Sequence, residues 1–430
     1  MTNPTRRIAV IGGVRIPFCR SNTLYADLSN LEMMTTALEG LVDKYGLAGA
    51  HVDEVTGGAV VTHSKDWNLA REAVIGSRLA PSTPGITMMQ ACGTSLQAAF
   101  GIGAKIAMGE IESGIAIGSD TTSDAPIVVG KRLSGRLIQA QQAKTLGQRA
   151  AAFKGFSPGE LVPQPPNVAE PRTGLSMGQH CELMAQHWHI PREAQDQLAL
   201  ESHRKAAEAY QSGFMDDLIV PCAGVWRDNN LRADMDAGRI AQLKPVFERG
   251  GRGSLTAANS TPLTDGAAAV LLASEDWARR RGLQPQAYLT HMQTSANDFV
   301  AGEGLLMAPT IAVSRLLERT GLRLQDFDLY EIHEAFAAQV LATLKAWEDP
   351  DYCRTRLGLS EPLGSIDRAR LNVMGSSLAY GHPFAATGAR ITGLLAKLLA
   401  ERGGRGLISI CTAGGMGVAA ILESAGHSPA

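Results

Sequence analysis

In the first 120 residues, segments with the hydrophobic pattern of strands alternate with segments that have the hydrophobic spacing of helices. The segments "RRIAVIGG" and "EVTGGAVV" have the pattern of strands, whereas apolar residues spaced three and four apart predict helices over Asn30–Tyr45 and Asn68–Leu79. The segment "GITMMQAC" then predicts a strand that runs directly into a helix. Strands that alternate with helices in this way indicate a layered α/β core.

Two distant segments, residues 86–120 and 371–415, repeat the same order of elements. Each has a strand-like run, a turn of small residues with a reactive side chain, a long apolar helix and another buried strand. The spacing from Cys92 to the strand at Ile115 is nearly equal to the spacing from His382 to the strand at Leu407. The repeat predicts an internal duplication in which Cys92 and His382 occupy equivalent helix N-termini.

A stretch of different composition, about residues 123–255, separates the two repeats. It contains a Pro-rich connector and then a helical pair in which Pro191 suits a helix start. We interpret this stretch as an inserted, mainly helical loop subdomain. The predicted organisation is therefore an N-terminal half over 1–275, which carries the insert, and a C-terminal half over 276–430.

The first part of this insert is strongly basic. Residues 131–154 contain no acidic residue and combine six cations with five apolar residues, namely Lys131, Arg132, Arg136, Lys144, Arg149 and Lys154 with Leu133, Leu137, Ile138, Leu146 and Phe153. Basic amphipathic segments bind membrane surfaces or partner proteins. We predict one of these two roles, and the alternative is a solvated helix that only covers the active site.

Composition narrows the classes of protein that remain possible. The chain has 430 residues, of which 45% are hydrophobic and 19% charged, and its net charge of −2 argues against nucleic acid as the main partner. Six cysteines without a CxxC pair indicate free thiols rather than a disulfide framework or a zinc ribbon. The N-terminal apolar run is too short for a secretory signal and no later run is long enough to span a bilayer, so we expect a soluble, cytoplasmic protein.

Cys92 and His382 are the first candidates for catalysis. Cys92 lies in "QACGTSLQAAF" at a predicted helix N-terminus, where the partial positive charge favours a nucleophilic thiolate. His382, in "GSSLAYGHPFAATGAR", is a candidate base for that thiol. The alternatives are a cysteine that acts as a small core hydrophobe and a histidine in a packed turn.

His333 and Cys411 extend this set of reactive residues. His333 lies in "LYEIHEAFAAQ", where a strand turns into a helix, and it could instead be a capping or core residue. Cys411 ends a buried strand against "TAGG", a turn whose amides could form an oxyanion hole. All four reactive side chains lie at the C-terminal ends of predicted strands, where α/β proteins typically have their active sites.

Two other kinds of site are disfavoured. The opening "RRIAVIGG" lacks the GxGxxG fingerprint and meets Pro17 where the helix of a dinucleotide-binding fold should begin. A metal site in the insert is unfavourable because the spacing of its candidate ligands does not place three of them on one helix face; these are His180, Cys181, His187 and His189.

Four motifs resemble those of the thiolases and are spread over most of the chain: "GHPFAATGAR", "HEAFA", "CTAGGMG" and "TAANSTPLTDGAAA". The closest resemblance is to the long-chain branch, which comprises the β subunit of the mitochondrial trifunctional enzyme and its bacterial fatty-oxidation counterpart. It implies a duplicated five-layer α-β-α-β-α core with an inserted helical loop subdomain. The implied activity is acetyl-CoA C-acyltransferase, by thiolytic cleavage or Claisen condensation in fatty acid β-oxidation.

The resemblance also implies roles for individual residues. Cys92 would be the acylated nucleophile, His382 its base and Cys411 the second acid/base. His333 stands where most thiolases have an asparagine that orients an oxyanion-binding water, and the amides of Ala413 and Cys92 would form a second oxyanion hole. The residues matched to the acyl-CoA tunnel or to the pantetheine or nucleotide contacts are Thr261, Arg232, Met177 and Phe336.

Coenzyme A would be a substrate and product, and no cofactor or metal is implied. The family also implies at least a homodimer, with a hydratase/dehydrogenase α subunit as a possible partner. A decarboxylative ketoacyl synthase is the nearest alternative, but its chemistry needs no second thiol such as Cys411. A catalytically idle, lipid-carrying subunit is a further alternative, and it would be expected to lack the nucleophile or the base.

Overall fold

The computed structural model describes residues 6–426. Residues 1–5, which open the segment judged too short for a secretory signal, and residues 427–430 lie outside the described residues. The described strands are β1 Ile8–Arg15, β2 Cys19–Arg20, β3 Glu54–Gly58, β4 Gly85–Thr87, β5 Ser113–Asp120, β6 Val128–Val129, β7 Pro163–Gln164, β8 Thr264–Ser274, β9 Ala287–Ala296, β10 Leu329–Ile332, β11 Arg405–Thr412 and β12 Met416–Glu423.

The described helices begin with α1 Asn30–Tyr45, α2 Leu69–Ile75, α3 Thr94–Met108, α4 Lys131–Gln142, α5 Leu146–Ala152, α6 Met177–His187, α7 Arg192–Gln211 and α8 Ala237–Ala241. The C-terminal half contains α9 Glu275–Arg280, α10 Ala308–Thr320, α11 Ala337–Glu348, α12 Pro350–Arg356, α13 Ser377–Tyr380 and α14 Thr387–Arg402.

The main sheet shows the predicted duplication in its strand order, which is β10-β11-β12-β9-β1-β8-β5-β3-β4. In the N-terminal half β3 and β5 are parallel, while β5 with β8 and β8 with β1 are antiparallel. The C-terminal half repeats this pattern, because β10 and β11 are parallel while β11 with β12 and β12 with β9 are antiparallel. The halves join where Ala9 and Val10 of β1 pair with β9.

Alternation of buried side chains along the strands builds five layers. Val270 of β8 and Val418 of β12 face a central layer that holds α3 and α14. Leu271, the next residue on β8, faces α1 and α2 on one outer side. Ala419, the next residue on β12, faces α10 and α11 on the other outer side. The predicted α-β-α-β-α class is confirmed, since each half-sheet is covered on both faces by helices.

Local sequence signals account for the ends of several elements. Helix α1 spans the predicted residues because Ser29 and Glu32 form a capping box and Gly46 adopts the left-handed C-cap. Helix α2 ends at Ile75, before the predicted Leu79, at a cap formed by Gly76. Strand β3 is likewise shorter than the predicted "EVTGGAVV" run.

The inserted subdomain, predicted over about 123–255, lies within residues 121–263 that connect β5 to β8, and its bounds stay a prediction. A buried ion pair fastens it to the core, since the Arg15 guanidinium of β1 donates to both carboxylate oxygens of Asp228 at 2.5 and 2.7 Å. The Tyr210 hydroxyl donates a hydrogen bond to the same carboxylate.

Within the described part of the chain, no helix is both long and apolar enough to cross a bilayer. The halves over 1–275 and 276–430 stay a prediction as bounded domains.

Candidate active site

Three buried side chains from different parts of the chain meet at the ends of the central helices. Cys92 Sγ and His382 Nε2 lie 3.1 Å apart, although 290 residues separate them in sequence. The His333 ring is tilted against the His382 ring with a centroid separation of 4.1 Å. One ligand atom from each of the three residues lies within 4.8 Å of the others. The structure therefore brings together three of the four predicted reactive groups in direct contact range.

A tight turn presents Cys92 at the start of α3. Ala91 has a φ of 44°, in the left-handed region, which costs free energy for a residue with a Cβ. The Thr94 hydroxyl holds the turn because it donates to the Ala91 carbonyl at 2.7 Å and accepts from the Gln90 amide at 2.8 Å. The "GITMMQAC" segment is therefore not a strand that enters a helix directly, since β4 ends at Thr87 and this turn intervenes.

The small residues around His382 allow the backbone to approach its neighbours closely. Gly381 has a φ of 103°, and a Cβ there would lie 2.7 Å from a methyl carbon of Thr264. This closeness lets the His382 amide donate to Thr264 Oγ1 at 3.1 Å. On the ring, Nδ1 pairs with Thr387 Oγ1 at 2.6 Å. In the tautomer with the ring hydrogen on Nδ1, this N–H donates to the Thr387 hydroxyl and Nε2 is an acceptor for the Cys92 thiol.

His333 follows β10 and is held by a chain of polar contacts. Its Nδ1 lies 2.9 Å from Ser377 Oγ, and that hydroxyl accepts from Arg390 Nη2 at 2.7 Å. A hydroxyl that accepts from a guanidinium is free to donate its proton to Nδ1, so the ring hydrogen is then on Nε2. His333 Nε2 has no hydrogen-bond partner among residues 6–426 and is buried at the site. It is therefore available to donate to an oxygen of a bound molecule.

Burial shifts the pKa values of Cys92 and His382 toward their neutral forms. Desolvation raises the pKa of the Cys92 thiol to about 12, even though the backbone amides of Ala413 and of Cys92 itself act in the opposite direction. Burial and the nearby Arg390 charge lower the pKa of His382 to about 3. Desolvation therefore opposes the thiolate that the helix N-terminus favours, and both pKa shifts favour the neutral forms of the thiol and the imidazole.

Cys411 and Ala413 approach the same site from β11 and the turn that follows it. Cys411 is buried, and burial raises the pKa of its thiol well above the ordinary value, with Cys92 and Cys181 as further causes. The Ala413 amide is close enough to act on the Cys92 thiol as a hydrogen-bond donor. Both predicted residues therefore border the nucleophile, one with a thiol and the other with a backbone N–H.

The four residues predicted to bind substrate have different surroundings. Phe336 is buried in the apolar cluster that also contains Cys411, and Met177 packs against that cluster at the start of α6. Thr261 donates through its hydroxyl to the carbonyl of Ala335 at 3.1 Å. Arg232 is exposed on the insert and donates to backbone carbonyls, so no described contact joins it to the catalytic trio.

Residues that position the two imidazoles were missed by the sequence analysis. They are three hydroxyl side chains and one guanidinium, of which the first lies in "TAANSTPLTDGAAA" and the others lie in the quoted histidine segment, namely Thr264, Ser377, Thr387 and Arg390. The signal that could have revealed them is the pair of serines and the threonine that interrupt an otherwise apolar run. Asp120 was also missed; it accepts three backbone N–H groups, including that of Ala385 next to the histidine loop, and burial raises its pKa to about 7.

Comparison with known proteins agrees with this architecture. The family model "Thiolase, N-terminal domain" matches residues 8–276 and "Thiolase, C-terminal domain" matches residues 283–424. The 3-ketoacyl-CoA thiolase of Serratia proteamaculans (strain 568) is 42% identical over 424 residues, which cover 97% of each chain.

Solved structures give the same result. The acetyl-CoA acetyltransferase of Bacillus anthracis is 30% identical, with a TM-score of 0.80 and coverage of 98% of this chain and 100% of that one. The Acat5 thiolase of Ascaris suum, solved in complex with coenzyme A, is 25% identical with a TM-score of 0.80, and the match covers 97% and 100% of the two chains. Because both family models match and the relatives correspond over nearly their whole length, this chain belongs to the thiolase family.

Proposed function

We propose that the protein is an acetyl-CoA C-acyltransferase that cleaves 3-ketoacyl-CoA with coenzyme A, or runs the reverse condensation. The observation that carries the proposal is the 3.1 Å contact between Cys92 Sγ and His382 Nε2 beside a second buried thiol, Cys411. The family and the relatives named 3-ketoacyl-CoA thiolase support the same substrate class. Coenzyme A in the Ascaris suum relative supports its role here as substrate and product, and no cofactor is needed.

Cleavage begins when the Cys92 thiol gives its proton to His382 Nε2 while Sγ attacks the 3-keto carbon. The neighbouring carbon–carbon bond then breaks, the acyl group stays on Cys92, and the departing acetyl-CoA carbanion takes a proton from Cys411. The thiol of coenzyme A next gives its proton to the Cys411 thiolate and attacks the acyl carbonyl. Cys92 leaves as the thiolate and recovers its proton from His382, so the enzyme returns to its neutral resting state.

Two groups of donors serve the two oxygens that gain charge. His333 Nε2–H is the donor of one, because it is buried at the site and otherwise unpartnered among the described residues. The amides of Cys92 and Ala413 form the other, since both act on the Cys92 sulfur from close range. Phe336 and Met177 line the acyl path, Thr261 contacts the pantetheine arm, and exposed Arg232 is placed for the polar nucleotide end.

The second thiol distinguishes this proposal from its alternatives. A decarboxylating ketoacyl synthase generates its carbanion by loss of carbon dioxide and has no use for Cys411 as an acid/base. A catalytically idle carrier would not need a nucleophile in contact with a base.

Fatty acid β-oxidation, a cytoplasmic location and a homodimer are the remaining parts of the proposal, and they rest on the resemblance to the long-chain branch.

The basic insert is proposed to bind an anionic membrane surface. Four of the five apolar side chains in residues 131–154 are exposed beside the cations, and the largest exposed fractions are 82% for Leu146 and 50% for Ile138. Two residues differ from the expected amphipathic face, since Leu133 is buried and Arg136 is internally paired. Arg136 donates to both oxygens of Glu160 and to three backbone carbonyls, so it holds the subdomain together rather than facing a lipid.

The membrane proposal is tested with vesicles that contain anionic lipid. Lys131→Gln combined with Arg132→Gln should weaken vesicle binding by about tenfold or more, because each cation near such a surface contributes about 1 kcal/mol. Short-chain thiolysis should be unchanged. Arg279→Gln combined with Arg281→Gln, which removes two cations at the C-terminal end of α9, is the matched control. Equal vesicle binding by both double variants contradicts the proposal, and loss of binding only to an added hydratase/dehydrogenase subunit would assign the surface to a protein partner.

The enzymatic proposal is tested with a series of 3-ketoacyl-CoA esters of increasing chain length and with Cys411→Ala. This variant should still form the acyl-enzyme on Cys92, detected by mass spectrometry of a peptic digest. Thiolysis and solvent exchange of the acetyl methyl protons should fall by about two to four orders of magnitude, the usual contribution of a positioned acid or base. Cys222→Ala removes a buried thiol elsewhere and should retain full activity. Near-normal thiolysis by Cys411→Ala would show that the mechanism is wrong.

A further inference from the structure

We propose that the active site is also a zinc-binding inhibitory site formed by Cys92, His333 and His382. The ligand atoms of these three residues lie within 4.8 Å of one another, and all three side chains are buried. A thiolate and two imidazoles are the donor set that zinc prefers in proteins. The zinc site goes beyond the proposed acyltransferase activity and rests only on the positions of the donors, whereas its inhibitory effect rests on that proposed activity.

The outer contacts of both imidazoles are those of metal ligands. His382 Nδ1 is anchored on Thr387 Oγ1 and His333 Nδ1 on Ser377 Oγ, so each ring is oriented through one nitrogen. Metal-binding histidines typically have the second nitrogen fixed in this way. The other nitrogen of each ring faces the site, and His333 Nε2 has no partner among residues 6–426. This buried, unpartnered nitrogen is the observation that points to a ligand.

The spacing requires little movement on metal binding. Zinc bonds of about 2.3 Å to sulfur and about 2.0 Å to nitrogen place the donors of a tetrahedral site about 3.5 Å apart. Cys92 Sγ and His382 Nε2 are already at 3.1 Å. Three protein ligands leave a fourth position open to water or to an incoming thiol.

Proton movements balance without any co-reactant. The Cys92 thiol releases its proton to solvent as the sulfur–zinc bond forms, which is the usual cost of metal binding by a thiol. His333 moves its hydrogen from Nε2 to Nδ1, and the Ser377 hydroxyl changes from donor to acceptor. His382 already has Nε2 free of hydrogen. The bound zinc would occupy the sulfur needed for acyl transfer, so the enzyme is inhibited until a chelator or a competing thiol removes the metal.

The experiment measures zinc binding directly on chelator-treated full-length protein by competition with a fluorescent zinc indicator. The parent protein should bind one tight zinc per chain, and alkylation of Cys92 by iodoacetamide should abolish this binding. His333→Asn keeps a polar side chain but removes a ligand, and Ser377→Ala removes only the anchor. Loss of an outer contact costs about 10- to 100-fold in metal affinity, so Ser377→Ala should lose that much and His333→Asn at least as much. Cys222→Ala should bind as the parent does.

Cobalt supplies a readout that does not involve activity. Co²⁺ bound to the parent should give a thiolate-to-cobalt charge-transfer band, and Cys92→Ala should lack it. Unchanged zinc affinity in His333→Asn or after Cys92 alkylation would overturn the proposal, as would failure of the parent to bind. If thiolysis proves absent while one zinc binds through Cys92 and His333, the acyltransferase proposal and the inhibition that rests on it fail, and the zinc site stands. If thiolysis is normal and zinc does not bind, only this inference fails.

Discussion

At the scale of single residues, hydroxyl groups determine how the two active-site histidines can act. Thr387 and Ser377 each fix the Nδ1 side of one imidazole, at 2.6 and 2.9 Å. The two rings are thereby given different tasks, since His382 Nε2 accepts the Cys92 proton while His333 Nε2 can donate. Neither hydroxyl touches the reacting atoms, so both are positioning residues.

Thr387→Val should lower kcat while leaving the KM for coenzyme A unchanged. When His382 takes the Cys92 proton, its Nδ1–H bond to Thr387 becomes a hydrogen bond from a charged donor, which contributes about 1.5–3 kcal/mol. Loss of this bond in the transition state corresponds to a decrease of about ten- to hundredfold in kcat. Steady-state thiolysis assays measure both constants.

Thr387→Ser is the matched control for this change, because it keeps the hydroxyl and removes only a methyl group. It should restore most of the activity lost in Thr387→Val. Equal impairment of the two variants would show that Thr387 acts through packing in α14 rather than through its hydroxyl.

At the scale of elements, the close approach of α3 and α14 brings the nucleophile to its base. Cys92 precedes α3 and His382 precedes α14, and both helices lie in the central layer. Gly388 lies where they meet, and a Cβ there would lie 2.4 Å from the Leu96 amide nitrogen. A residue with a side chain at this position would force the helices apart.

Gly388→Ala should destabilise the protein by about 1–3 kcal/mol, the usual cost of inserting atoms into a well-packed core. It should also reduce thiolysis, because the Cys92–His382 contact depends on the same spacing. Thermal or urea unfolding and an activity assay measure the two effects.

Gly101→Ala is the matched control on α3, where an added Cβ meets no atom within 4 Å. It should be neutral or stabilising by about 0.5–1 kcal/mol, because alanine is the better helix former. If both alanine variants behave alike, the spacing of the two helices does not limit the fold.

At the scale of the whole molecule, buried polar groups inside the insert make the stability of the fold depend on pH. His203 of α7 is buried and its Nδ1 accepts from the Arg232 amide at 3.1 Å. Burial, together with the nearby Arg232 charge, lowers the pKa of His203 to about 4. The folded protein therefore keeps this ring neutral at pH values where the unfolded chain protonates it.

Stability should consequently decrease as pH falls below about 6.5, the ordinary pKa of histidine, toward about 4. The unfolded state binds the extra proton in this window, so His203 by itself removes about 2 kcal/mol of unfolding free energy between about pH 7.5 and pH 5.0. His203→Asn keeps an acceptor for the Arg232 amide and should lose less stability over the same interval. Urea unfolding at the two pH values measures the difference.

The control for the pH experiment is His187→Asn, which removes an exposed histidine. Its unfolding free energy should change with pH as that of the parent does. An identical pH dependence in His203→Asn and the parent would contradict the assignment.

The sequence by itself determined the class of the fold and the identity of the reactive residues. Periodicity and end signals placed α1 correctly, and the spaced repeat revealed the duplication, because these features depend on neighbours within one element. The motifs around His333, His382 and Cys411, together with "TAANSTPLTDGAAA", indicated the family for the same reason, since each is a short local pattern.

Tertiary structure alone decided the protonation and the pairing of these residues. The helix N-terminus at Cys92 is visible in sequence, but the burial that raises its pKa comes from segments hundreds of residues away. The sequence predicts that Arg136 and Leu133 belong to one amphipathic face. In the structure Arg136 is paired with Glu160 and Leu133 is buried. Desolvation and pairing depend on which distant segments surround a side chain, and a linear pattern carries little information about that.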